Sequence, residues 1–222
     1  MTWKTDFDFQ WGHIPSPAIT YTHDRVKELL KISKLPRRFF KNKKCLDAGC
    51  GNGRYTYAMQ ELGAEVISFD ISLKAIELCR KVNPDAYIFD LNDLEANPIY
   101  DFVLCWGVLN HIPDPKIGFK KIASQVKPNG TLFIMVYHED TQEMFIELRK
   151  LWRTLNQANR LKMCRFMIKK HGGNLHGWWD AFNPQYNWGF RPEQIKSWFI
   201  TEGFSNIRLT QRYNINMRAR AR

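Results

Sequence analysis

The sequence predicts an α/β fold, a mostly parallel sheet with helices on both faces. Three observations lead there. From Lys43 to Tyr137 short apolar runs alternate with segments of helical spacing, the rhythm of strand–helix–strand units. The first of these runs opens directly into a turn holding Gly49, Gly51 and Gly53. At the far end Ile215, Met217, Ala219 and Ala221 alternate with Asn216, Arg218, Arg220 and Arg222. That period of two marks a strand with one basic face.

The elements follow in order. Residues 1–22 are rich in aromatics, namely Trp3, Phe7, Phe9, Trp11 and Tyr21, and Pro15 and Pro17 are expected to break any regular element there. In 23–34, Val26, Leu29 and Leu30 have helical spacing, and Pro36 ends the helix. A strand over 45–48 precedes the glycine turn, and a helix is expected over 54–62. Residues 65–69 form a second strand ending at Asp70, and Ser72 can cap a helix that continues to Val82. A third strand, 86–89, ends at Asp90. A fourth spans 100–106, a helix covers 115–126, and Pro128-Asn129-Gly130 turns into a fifth strand over 131–137. Beyond Tyr137 the rhythm changes. One or two helices fill 141–171, where Met144, Phe145, Leu148, Leu151, Trp152 and Leu155 have helical spacing and Arg149, Lys150 and Arg153 form the opposite, charged face. A loop crowded with Gly, His and Trp is expected over 172–190. A helix over 193–202 stops at Gly203, and 205–211 with 215–221 form an antiparallel hairpin. The chain reads as one domain of 222 residues: an N-terminal lid and helix (1–42), a ligand-binding core (43–137), a helical insertion (138–190) and a final helix and hairpin (191–222).

Composition narrows the class. Hydrophobic residues make up 44% and charged residues 25%, the composition of an ordinary globular protein, which argues against long disorder. No stretch approaches the ~18 apolar residues of a spanning helix, and the N-terminus lacks the apolar core of a signal peptide. Cys45, Cys50, Cys79, Cys105 and Cys164 are odd in number and form no CxxC, so neither a disulfide framework nor a metal site is expected and the chain reads as cytoplasmic. The net charge is +11 and unevenly placed. Residues 1–110 hold 14 Lys/Arg and 14 Asp/Glu; the excess lies in 141–171 and in 203–222. Such segments suit RNA phosphates, an anionic membrane surface or an anionic acceptor molecule.

The glycine turn carries the chemistry. Between a strand and a helix N-terminus, glycines let backbone approach a ligand closely. Their spacing is G-x-G-x-G, unlike the G-x-G-x-x-G of nicotinamide-binding folds, and no G-K-[ST] follows. Asp47 just before the turn would repel a pyrophosphate and suits an ammonium group. Asp70 at the end of the second strand can accept from ribose hydroxyls, and Asp90 at the end of the third from the exocyclic amine of adenine. An amino acid, a ribose and an adenine together describe S-adenosylmethionine (SAM).

Five stretches, in order, resemble the motifs of class I SAM-dependent methyltransferases. They are Asp47-Ala48-Gly49-Cys50-Gly51-Asn52-Gly53, Val66-Ile67-Ser68-Phe69-Asp70, Phe89-Asp90, Tyr100-Asp101-Phe102-Val103-Leu104 and Lys127-Pro128-Asn129-Gly130-Thr131-Leu132. The resemblance covers about 43–137 and implies a Rossmann-like, seven-stranded sheet with a reversed last strand. It implies that the backbone of Gly49 to Gly53, with Cys50 and Gly51, cradles the methionyl part, that Asp70 binds the ribose, and that Asp90 with Leu91 meets adenine; Asp47 and Ile71 belong to the same expected cofactor set. Trp106, at the end of the fourth strand, joins this expected cofactor set.

The acceptor is less legible. Methyl transfer from a sulfonium needs positioning first, and a base only where the acceptor loses a proton. Gly107-Val108-Leu109-Asn110-His111-Ile112-Pro113-Asp114-Pro115 is similar to a stretch of small-molecule methyltransferases. It makes His111 the first candidate for a base or acceptor-orienting group, with a helix-start histidine bonded to backbone as the other reading. In 171–190 Asp180 and Tyr186 are candidates to orient a hydroxyl or amine, among His171, His176, Trp178, Trp179 and Trp188. Phe7, Phe9, Trp11 and Tyr21 are expected to pack as a lid that excludes water. The expected function is methyl transfer to O or N of a small or medium-sized, possibly anionic acceptor in a biosynthetic tailoring step. An RNA methyltransferase using 141–171 and 208–222, and a non-catalytic interaction protein of this fold, stand as alternatives.

Overall fold

The computed structural model describes residues 5–15, 21–143, 145–211 and 214–222. The expectations placed on Trp3, Pro17 and Met144 lie outside these residues. Five strands run parallel: β1 (Lys44–Ala48), β2 (Glu65–Asp70), β3 (Tyr87–Ile88), β4 (Tyr100–Trp106) and β5 (Val126–Tyr137). β7 (Asn214–Ala221) lies antiparallel between β5 and β6 (Phe204–Gln211). The order is β3-β2-β1-β4-β5-β7-β6, one seven-stranded sheet with a reversed last strand. The direction of winding changes between β1 and β4. In such sheets the crevice beyond the carboxyl ends of those strands takes the ligand.

The apolar runs are continuous because both faces of the sheet are covered. Val103 and Cys105 of β4 join Leu132 and Ile134 of β5 in one core, closed by Phe119 of α5 (Pro115–Ala123) and Phe199 of α10 (Pro192–Thr201). Phe102 and Leu104 face the other way, against Leu29 of α2 (His23–Ser33) and Met59 of α3 (Arg54–Glu61). Ile76 and Cys79 of α4 (Leu73–Cys79) pack with Cys50 under the glycine turn. All five cysteines are free and buried. Among the described residues no helix is long and apolar enough to cross a membrane.

Several expectations change. Residues 7–13 form a helix, α1 (Phe7–His13), ahead of Pro15; Asp6 caps it by accepting from the Phe9 amide at 2.7 Å. The insertion holds α6 (Glu139–Glu143), α7 (Ile146–Thr154) and α8 (Gln157–His171). The expected loop over 172–190 contains α9 (Leu175–Phe182). Asn174 caps α9 through the Gly177 amide at 2.9 Å, and Leu175, Trp178, Trp179 and Phe182 supply its apolar stripe. Arg149, expected on the charged face of α7, is buried: its Nε donates to the Ala181 carbonyl at 2.9 Å, so it ties α7 to the end of α9. Leu151, expected on the apolar stripe, is exposed. β3 shortens to two residues, and β5 begins five residues early, pairing Val126 with Tyr100 before a register shift.

α1 and the insertion share a second core. Ile14, Trp152, Cys164, Trp179 and Phe182 are buried together, and the Phe9 and Trp179 ring centroids lie 5.1 Å apart. The chain's first helix is thereby pinned beside its last insertion helix, over the carboxyl edge of the sheet. The sheet core should be correspondingly unforgiving. Phe102→Ala, which empties a fully buried site between β1 and β5, is expected to cost about 3–5 kcal/mol in denaturant unfolding.

Candidate active site

The glycine turn is bound down on both sides. The amides of Gly49 and Cys50 both donate to the Phe69 carbonyl at 2.9 Å. The Gly51 amide donates to one Asp70 oxygen at 2.9 Å, and the Ser72 amide donates to the other at 2.9 Å. Asp70 therefore clamps the turn to the start of α4. Gly49 and Gly51 have φ of +76° and +54°, and a Cβ on them would sit 2.2 Å from Val108 and 2.7 Å from Trp11. No other residue fits either position without displacing a neighbour.

Beneath the turn Asp47 is buried at the end of β1. Its Oδ2 accepts from the Thr56 hydroxyl at 2.7 Å. Thr56 has spent its proton, so the 2.8 Å contact with Ser68 runs from the Ser68 hydroxyl to Thr56. Asn83 Nδ2 then donates to Ser68 at 3.1 Å. This relay polarises toward Asp47 but brings no cation, and burial pushes the Asp47 pKa up to about 6.

The cavity above has a volume of about 530 Å³, within the range of small-molecule sites. Of the expected cofactor residues, Asp47, Gly49, Cys50, Gly51, Asp70, Ile71, Asp90, Leu91 and Trp106 line it. Gly53 does not: it caps α3 at φ +83°, with Cys79 Sγ 2.7 Å from where its Cβ would be. Asp90 accepts from the Asn92 amide and side chain at 2.8 and 2.9 Å, closing the tight turn that holds Leu91 at the wall. Phe7 and Trp11 of α1 line the cavity, whereas Phe9 faces the second core and Tyr21 donates to the Asn52 carbonyl at 2.7 Å.

On the opposite wall stands a polar cluster built by four segments distant in sequence, α1, the turn after β4, the end of β5 and α9. Asp180 on α9 accepts from the Tyr137 hydroxyl at 2.8 Å and from Gln10 Nε2 at 3.1 Å. His111 Nε2 lies 4.0 Å from Asp180 Oδ2. His111 Nδ1 is 3.0 Å from the Tyr186 carbonyl, which can only accept, so Nδ1 carries the proton in the neutral ring. Nε2 then presents a lone pair, buried and without a hydrogen-bond partner. Gln10 Nε2 also reaches His176 Nε2 at 3.2 Å, and burial lowers the His176 pKa. Burial acts to raise the Asp180 pKa, but His111, the Gln10 amide, His176 and Tyr137 outweigh it, and the carboxyl is held below its ordinary range.

His111 and Asp180 thus come together, as two candidates chosen from separate stretches. The Tyr186 ring does not join them. It stacks on Trp188, and only its carbonyl reaches the cluster. Gln10 and Tyr137 went unnoticed in the sequence. Tyr137 could have been found from its place at the end of a parallel strand, whereas Gln10 carries no local signal. No described residue of 141–171 or 203–222 lines the cavity. Among the described residues no group of three or more His, Cys, Asp or Glu side chains is placed to hold a metal ion.

A parallel sheet with a reversed last strand, a G-x-G-x-G turn after β1 and acids at the end of β2 and just beyond β3 define the Rossmann-like methyltransferase class. The chain matches the family described as Methyltransferase domain over residues 21–209. It belongs to that family, the class I SAM-dependent methyltransferases, whose cofactor is SAM. Ubiquinone biosynthesis O-methyltransferase from Proteus mirabilis is 33% identical over 153 residues, 65% of this chain and 58% of the relative. The protein of the same name from Xanthomonas campestris pv. campestris is 36% identical over 97 residues, 40% of this chain and 41% of the relative. The chain spans about half the length of these curated relatives. Among solved structures, a chain of the Haloferax volcanii complex between the Trm112 methyltransferase activator and a methyltransferase covers 98% of each chain, with a TM-score of 0.62 and 14% identity. Magnesium protoporphyrin IX methyltransferase from Synechocystis PCC 6803 with bound S-adenosylhomocysteine covers 90% of this chain and 81% of its own, with a TM-score of 0.55 and 17% identity. Both share the fold.

The site fits SAM on its own chemistry. It offers a buried carboxylate without a hydrogen-bonded cation, a backbone cradle that a Cβ would fill, and two further acids in its lining. The cradle makes a checkable demand. Gly49→Ala should lose about 1–3 kcal/mol of unfolding free energy, from the left-handed backbone and the Val108 clash together. Adding Val108→Ala should return the clash component and leave the backbone penalty, a coupling that a double-mutant cycle reads directly.

Proposed function

We propose that the chain transfers the methyl group of SAM to an oxygen of a small acceptor, with His111 as the general base. The observation that carries this reading is the unpartnered Nε2 of His111, buried at the cavity wall and fixed as the basic atom by the Tyr186 carbonyl. Relatives named O-methyltransferases support oxygen as the accepting atom.

The cofactor half is held by the glycine turn. Asp47 takes the ammonium of the methionyl part, with Gly49, Cys50 and Gly51 against its backbone and Trp106 alongside. Asp70 and Ile71 serve the ribose, and Asp90 and Leu91 the adenine. SAM, when bound, supplies a methyl group already activated on a sulfonium, so the protein's work is placement and proton removal. His111 Nε2 accepts the acceptor's hydroxyl proton. The imidazolium that forms finds Asp180 at 4.0 Å, itself kept ionised by Tyr137 and Gln10. Tyr186 acts through its carbonyl by orienting His111, and Phe7 and Trp11 keep water from the donor.

Two outcomes test this reading. With a panel of phenols, alcohols and amines as acceptors and S-adenosylhomocysteine release as readout, His111→Gln is expected to lower kcat about 10²–10⁴-fold while calorimetric SAM affinity stays within error. Full turnover in that variant contradicts the assigned base. The second outcome concerns pH. The folded-state pKa of Asp47 is raised to about 6, so below that pH the carboxyl is neutral and offers an ammonium nothing to pair with. SAM affinity should therefore fall as pH drops through about 6, and Asp47→Asn should bind weakly at every pH. The same shift makes the ligand-free protein lose stability as pH rises from the ordinary Asp range to about 6, because the folded state holds the proton more tightly. A wild-type SAM affinity independent of pH between 5 and 8 removes Asp47 as the ammonium partner.

A further inference from the structure

At the edge of the sheet opposite the cofactor cavity lies a second concavity, of about 690 Å³. Its place follows from the topology. It lies at the start of β1 and β5 and the end of β7, where Thr131 pairs with Arg220. The chain between α2 and β1 forms its other bank.

Five basic side chains line it: Arg38, Lys43, Arg208, Arg218 and Arg220. No carboxylate is among its described lining residues. Lys43 is the one with a nearby acid, Asp101 at 3.1 Å, but Asp101 also holds Lys127 at 2.6 Å and so is oversubscribed. Arg208 and Arg218 stand directly opposite each other in the β6–β7 ladder. Facing like charges on neighbouring strands destabilise a sheet. Arg220, two residues along β7, shares the face of Arg218. Its guanidinium is steered by Asn129 Oδ1 at 2.9 Å, a neutral partner that orients the charge without cancelling it. The Nε–H of Arg218 is buried and has no hydrogen-bond partner. A sheet that collects like charges and leaves a buried guanidinium donor unspent is short of an anion.

We propose that this groove is a second binding site, for a small ligand bearing two or more phosphate groups. Guanidinium forks match phosphate oxygens in pairs, and facing arginines are neutralised by one dianionic group placed between them. The volume is that of a small-molecule site, and the charges converge on one hollow rather than following a face as they would along a nucleic acid backbone. The nine-residue stretch from Leu35 to Lys43 ties the groove to α2, whose other end meets the α3 helix behind the glycine turn.

Inorganic tripolyphosphate is the probe. Calorimetry at low salt should give saturable, near-stoichiometric binding to the wild-type chain that weakens as salt is added. Arg38→Gln/Arg208→Gln should weaken it at least 10-fold, while the charge-matched Lys169→Gln/Lys170→Gln on α8 should leave it unchanged. Circular dichroism checks that each variant is folded, and Arg38→Gln alone, at an exposed turn position, carries the test if the double variant is not. Arg208→Gln should in addition raise the thermal midpoint at low salt without ligand, since it removes the facing charge, and should gain less from tripolyphosphate than the wild type does. Absent binding, or equal loss in both double variants, overturns the proposal. So does a preference for anionic phospholipid vesicles or tRNA over tripolyphosphate that Arg38→Gln/Arg208→Gln leaves intact. A free phosphate source and a lipid headgroup source are separated by comparing tripolyphosphate with vesicles containing a phosphorylated headgroup on the same variants.

Discussion

The carboxyl end of the sheet is organised around one carboxylate withdrawn from water. Asp47 closes β1 where β1 and β4 wind away from each other, and a charge at that depth needs compensation. The protein supplies part of it through hydroxyls, Asn83 to Ser68 to Thr56 to Asp47, all donating in one direction. It supplies no hydrogen-bonded cation. The glycine turn is wrapped over this group by the Phe69 carbonyl and by Asp70, so that the route to Asp47 passes along bare backbone. A ligand that brings its own positive charge and lies flat on glycine satisfies both demands at once.

The other wall solves a related problem differently. Asp180 is partly enclosed as well, yet it meets a phenol, an amide and two imidazoles, and its proton affinity falls where that of Asp47 rises. Two carboxyls in one chamber are thus driven apart, one toward pairing with a ligand cation and one toward supporting a histidine. Divergence of this kind separates the roles of like groups in a single site. The supports of Asp180 are themselves long-range. Gln10 rides on α1, which is held by Phe9 and Ile14 in the core of the insertion and by Asp8, which accepts from the Ser72 hydroxyl at 2.6 Å and the Lys74 amide at 3.1 Å. The N-terminal helix is accordingly part of the chamber wall as well as its cover.

The positive charge belongs to neither wall. Arg54 is the one Lys or Arg among the described residues lining the cavity. Arg208, Arg218 and Arg220 gather on the opposite edge, where β7 turns its polar face toward the segment after α2. Arg149, counted with the surface charges of the insertion, is an internal tie between helices. Charge read along a chain thus says how much there is, and the strand direction of β7 says where it goes.

Part of this architecture follows from short-range rules alone. The alternation of strands and helices, the glycine turn and the acids closing β1, β2 and β3 are set by side-chain period and by backbone freedom within a few residues. The structure returns them in the expected order, with β3 cut to two residues and β5 extended back to Val126. The period of α9 was present in Leu175, Trp178, Trp179 and Phe182, but glycine and histidine between them obscured it. Tertiary structure alone decided the rest. Gln10 lies 170 residues from Asp180 and Tyr137 lies 43 away. Tyr186 contributes a carbonyl in place of its ring, and Gly53 turns toward Cys79, away from the cavity. Local sequence carries the propensity of a residue to be in a strand or turn. Which atom of that residue reaches a site depends on how separate cores pack, and packing is set only when the whole chain has closed.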